Sequence, residues 1–179
     1  MAILSTQSLL VAIVLAALHL PAAPGETIDE YQVKAAFLFN FAKFVDWPAQ
    51  AFKGPTDPIA ICLFGTNPFG NSLEDAVDKK AVGGRAFVVR RVSDVLQAAG
   101  CHILFITSSG QKKYQMFGQD VVMNGVLIVG ETPGFASEGG IVNLRLEQGR
   151  VRIEVNVHAA ERANLRISSK LLSLAEIVN

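Results

Sequence analysis

Positive charge is missing where an exported chain usually carries it. Residues 1–25 contain no Lys, Arg, Asp or Glu, so only the terminal amine precedes the apolar run Leu9–Leu20, interrupted by His19 alone. That run is too short for a membrane span, which needs about 20 apolar residues. It fits the apolar stretch of a signal peptide, and the small-residue segment Pro21-Ala22-Ala23-Pro24-Gly25 fits the cleavage region after it. We read residues 1–25 as a signal peptide and residues 26–179 as the mature domain, exported out of the cytoplasm. An uncleaved N-terminal anchor is the rival reading. No Cys lies near the cleavage region, so lipid attachment there is not expected.

Net charge is also missing. Lys+Arg and Asp+Glu are 16 each in 179 residues, which argues against a nucleic-acid partner, since phosphate neutralisation requires excess cations. The doublets Lys79-Lys80, Arg90-Arg91 and Lys112-Lys113 are dispersed and read as solvated faces. Histidine is scarce, with three in the chain, and no H-x-x-x-H or C-x-x-C spacing occurs, so no metal site is expected. The G-x-S-x-G nucleophile turn is absent. Gly65-Thr66-Asn67-Pro68-Phe69-Gly70 has phosphate-loop spacing, but Asn71-Ser72 follows where a Lys is required, and Pro68 lacks an amide N–H. No cofactor is expected, and the chain reads as non-enzymatic.

Cysteine occurs twice, at Cys62 and Cys101. An even count in an exported chain favours a stabilising disulfide. A redox switch and two buried free thiols remain as alternatives.

What is present is an apolar half of the composition, 50%, arranged in alternating segments. Thr27-Ile28-Asp29-Glu30 has capping-box form and opens an expected helix that Trp47-Pro48 should end. Phe37, Phe39, Phe41, Phe44 and Trp47 load this helix with aromatics over most of its circumference. It should be a core helix, with a homodimer or partner interface on its second face as the competing reading. Strands are expected at Pro58–Phe64, Arg85–Val92, Cys101–Thr107 and Val126–Val129. Helices should intervene at about Phe69–Lys79, at Asp94–Ala99 capped by Ser93, and after Ser108 or Ser109. Short apolar strands separated by helices predict a mostly parallel sheet covered by helices. Ile141–Glu147 and Val151–Val157 alternate around Gln148-Gly149 and predict a C-terminal antiparallel hairpin. Helical patterns at His158–Ala163 and Ser168–Ile177 close a single α/β domain.

Three segments carry a resemblance. VKAAFLFNFAKFVDWP (Val33–Pro48), ICLFG (Ile61–Gly65) and the block IVNLRLEQGRVRIEVNVHAAERANLRISSKLLSLA (Ile141–Ala175) are similar, in this order, to the YfiR family. The resemblance spans about Ile28 to Ala175. It implies a periplasmic repressor that binds the periplasmic sensor domain of a membrane-bound diguanylate cyclase and so lowers cyclic-di-GMP output. It also implies an outer-membrane lipoprotein that relieves repression by sequestering the repressor. Cys62 and Cys101 match one of two disulfides in the family's well-known member. The second pair would fall near Ala136 and Asn143, where this chain has no Cys. The family's partner surface lies partly in the C-terminal region and matches Leu165 and Ile167, which could equally be core residues. The alternative function is a small-molecule-binding module feeding a membrane sensor, with its site at strand carboxyl ends near Gly65 and Thr107. A thiol enzyme is a third reading, but Cys101 and His102 are adjacent in a strand and would face opposite ways.

Overall fold

The computed structural model describes residues 29–117 and 123–179; the expected signal peptide lies outside them. Helix α1 (Glu30–Phe44) leads into strand β1 (Val45–Asp46). Then follow β2 (Ile59–Phe64), α2 (Ser72–Val77), β3 (Ala81–Val82), β4 (Arg85–Val92), β5 (Ile103–Ile106), α3 (Gln111–Gln115) and β6 (Leu127–Gly130). The chain closes with β7 (Val142–Glu147), β8 (Arg150–Asn156), α4 (Val157–Arg162), β9 (Arg166–Ile167), α5 (Ser169–Leu172) and β10 (Glu176–Val178).

Eight strands form one sheet in the order β10-β8-β7-β6-β5-β2-β4-β3. The run from β4 to β7 is parallel, and β7–β8 is the expected antiparallel hairpin. Gln148 and Gly149 turn it, both with positive φ, 49° and 74°, as a two-residue turn matched to strand twist requires. The protein is thus a mixed α/β domain with a mostly parallel sheet.

Alternation along the central strands sorts the core into two layers. Ile61, Leu63, Ile103, Phe105, Leu127 and Val129 face α1, α2, α4 and α5. Cys62, Phe64, Leu104, Ile106 and Ile128 face the other way, against Val95, Ala98, Tyr114 and Phe135. The Phe135 ring needs two glycines beside it: a Cβ on Gly130 or Gly140 would come within 2.3 or 2.2 Å of its ring atoms.

Several local expectations are corrected. Asp29, not Thr27, is the N-cap of α1, and its carboxylate accepts the Tyr31 amide N–H at 3.0 Å; Thr27 itself lies outside the described residues. The helix stops at Phe44, before Trp47, because Val45–Asp46 pairs with Arg166–Ile167 as a two-stranded ribbon. Helix α2 is shorter than expected. Asn67 first builds a turn, accepting from the Phe69 N–H and donating to the Gly70 carbonyl. Asp94 rather than Ser93 caps the 3-10 turn at Val95–Ala98. Neither Ser108 nor Ser109 caps α3, whose N-cap is Gly110. Ser168 does cap α5, but the final helical pattern breaks at Leu172, and Glu176–Val178 becomes an edge strand parallel to β8.

Candidate functional site

Cys62 and Cys101 are bridged, with Cα atoms 5.9 Å apart. Cys62 lies within β2 and Cys101 just before its neighbour β5, so the bond ties adjacent strands beneath the second core layer. Both residues are buried, and no free thiol remains.

His102, next to the bridge, is fully engaged. Its Nδ1 accepts the Ala60 N–H at 3.0 Å. Its Nε2 lies 3.1 Å from the Ala51 carbonyl oxygen, which it reaches as a donor. Phe52 stacks on the ring at 4.3 Å, with the Arg85 guanidinium 3.8 Å from the Phe52 centroid. Burial holds the imidazole pKa below its usual value; the Arg85 and Arg90 charges act the same way, against the Ala51 hydrogen bond and Asp57. This is a neutral structural histidine.

The Trp47 indole N–H donates to the His102 carbonyl at 3.2 Å, which fixes the ring at the sheet's amino-terminal edge. There Trp47 and Pro48 form one side of an open groove of about 640 Å³, with Val157, Ala160 and Glu161 of α4 on the other. Asn156 anchors α4, its Oδ1 accepting from the Ala159 N–H at 2.8 Å. Leu165 and Ile167 also line the groove. They are only 3% and 9% exposed and belong to the core, so the accessible chemistry comes from the charged rim of Asp46, Glu161 and Arg166.

The five aromatics of α1 do not make one surface. Phe41 is buried and stacks with Phe37. Phe39 packs on Phe87 under the Lys43 and Lys80 ammonium groups, 4.3 and 4.7 Å from its centroid. Phe44 is half-buried against the core. Trp47 alone reaches the groove.

At the opposite, carboxyl-terminal edge the structure assembles a polar cluster that sequence reading did not identify. Lys34, a charged side chain within the aromatic helix, is 2% exposed. Its ammonium lies 2.7 Å from Glu131 and 2.5 Å from Glu30. Glu131 accepts further bonds from the Ser108 N–H and hydroxyl at 2.7 and 2.9 Å. Burial, then the Glu131 and Glu30 charges, push the neighbouring Tyr31 phenol up to about 12. Only Glu30–Lys34, at i,i+4, was readable from spacing; Glu131 is 97 residues from Lys34. Beside this cluster, Thr107 and Ser109 close a hydroxyl relay under Gly65. The Thr66 N–H donates to Ser109 Oγ, which lies 2.9 Å from Thr107 Oγ1, and the Thr107 hydroxyl donates to the Phe64 carbonyl.

Among the described residues no helix is long and apolar enough to cross a membrane, and no three His, Cys, Asp or Glu side chains converge as a metal centre. A comparison with curated proteins found no match. The profile of the family described as YfiR/HmsC-like matches residues 31–176. The order of motifs at α1, β2 and the C-terminal hairpin, the α/β fold that carries them and this match over most of the chain agree: the protein belongs to the YfiR/HmsC-like family.

Proposed function

We propose that this protein is a periplasmic regulator that holds down a membrane-bound diguanylate cyclase by binding its periplasmic sensor domain, lowering cyclic-di-GMP output without touching the nucleotide. The family match over residues 31–176 carries this reading. The groove between Trp47 and α4 is the surface we assign to the partner. It has an anchored aromatic, a rigid helix wall and a mixed-charge rim, the combination of ring and rim expected of a contact surface. Leu165 and Ile167 support the groove from within. An outer-membrane lipoprotein competing for the same protein would release the cyclase. A signal can shift which partner is occupied only by binding the two states unequally.

Capture from detergent-solubilised membranes of the native host, using the exported chain as bait, tests this. The expected result is recovery of a diguanylate cyclase, with recovery reduced by Glu161→Arg and Arg166→Glu. Recovery of soluble envelope enzymes alone, with no cyclase, overturns it.

A further inference from the structure

The chain reverses its winding between two neighbouring strands. After β2 it turns into α2, whose Leu73 and Val77 join the α1 layer. After β5 it turns into α3, whose Tyr114 joins the opposite layer. Parallel sheets open a crevice at such a switch point, outside the strands' carboxyl ends. A groove of about 450 Å³ lies here, within the roughly 300–1,000 Å³ typical of small-molecule sites.

Its base is Gly65 and Thr66, braced from below by the Ser109–Thr107 relay. Two basic side chains from separate elements line it, Arg91 near the end of β4 and Lys113 on α3, and no Asp or Glu does. Neither cation takes part in an ion pair among the described residues. The Lys113 ammonium is steered by the Ser93 carbonyl at 2.5 Å, while Arg91 is exposed. Two like charges sharing a concave site without a counter-charge repel one another, and an oxyanion removes that repulsion.

We propose that this groove binds a small ligand through a carboxylate or phosphate group, with Arg91 and Lys113 as its cationic contacts. Arg91 supplies a planar fork suited to two oxygens, and Lys113 a compact charge. The recognition differs from a phosphate loop. Pro68 has no N–H and the Phe69 N–H is committed to Asn67, so side-chain cations rather than loop amides carry it. The inference is independent of the partner reading, whose groove lies at the other edge of the sheet.

The test uses the exported chain alone, with inorganic phosphate and acetate titrated separately while backbone amide resonances are followed. Saturable shifts at Gly65, Thr66, Ser109 and Gly110 are expected. A phosphate-only or acetate-only response identifies the preferred group. Arg91→Gln and Lys113→Gln should each weaken binding about ten-fold, the scale of a lost charge-assisted hydrogen bond. Both side chains are exposed, so thermal stability should be unchanged and should show that the variants are folded. No shift at these amides with either anion, shifts confined to scattered surface lysines, or shifts undiminished in the double variant would each overturn the proposal.

Discussion

The Lys34 ammonium lies 2.7 Å from Glu131 Oε2, and both side chains are 2% exposed. The pair fastens the first turns of α1 to the residue immediately after β6. Removing one partner leaves the other charge buried, which costs about 3–5 kcal/mol. Lys34→Met should therefore lower unfolding free energy by roughly that amount. Lys34→Met combined with Glu131→Gln should recover most of the loss, because no buried charge is then orphaned. Urea denaturation of the two variants checks this, and a single variant as stable as the parent would show that the pair does not hold the helix.

His102 makes stability depend on acidity. Its folded pKa lies below its ordinary value, so on acidification the unfolded chain takes up this proton first. The His102 contribution is fully present above about pH 6.5 and is lost progressively as pH falls below it. A protonated Nδ1 would also point a hydrogen at the Ala60 N–H. Denaturation midpoints between roughly pH 7.5 and 5.5 should fall, and His102→Gln, less stable at the upper end, should fall less steeply over the same interval.

The disulfide closes a loop with a sequence separation of 39. Chain-entropy reasoning assigns such closure about 4 kcal/mol. Replacing both cysteines by alanine should cost a comparable amount, read as a lower midpoint in urea. In the parent, both sulfurs should resist alkylation until the chain is unfolded and reduced, since Cys62 and Cys101 are 0% and 4% exposed. Labelling of the folded, oxidised protein would contradict the bridge.

Gly65 has φ of +108°, and a Cβ there would stand 2.1 Å from Thr107 Oγ1. Gly65→Ala should therefore destabilise by more than about 1 kcal/mol and break the Thr66–Ser109 hydrogen bond. Loss of amide-exchange protection at Thr66 is the direct readout.

The parallel strands were legible because each is a short apolar run bounded by turn residues; Arg85–Val92 was read to the residue. The hairpin was legible because Arg152 and Glu154 alternate with Ile153 and Val155. What escaped was set by partners distant in sequence. Val45–Asp46 reads as the tail of an aromatic helix until Arg166–Ile167 pairs with it. Glu176–Val178 reads as helix until β8 presents a free edge and Arg145 meets Glu176 at 3.3 Å. At the candidate site, Leu165 and Ile167, matched by resemblance to the family's partner surface, lie in the groove between Trp47 and α4. Their burial, and the exposure of Glu161 and Arg166 between and beside them, follow from how α4 and β9 pack, which no local pattern encodes.

Helix α1 begins at one rim of the sheet, where Lys34 meets Glu131, and ends near the other, where Trp47 is tethered to His102. Fifteen helical residues make a rod about 22 Å long, stiff in compression and clamped at both extremities. The two anchors hold α1 at its start and just beyond its end, so the orientation of the helix across the sheet is fixed by contacts at opposite rims rather than by its apolar face alone.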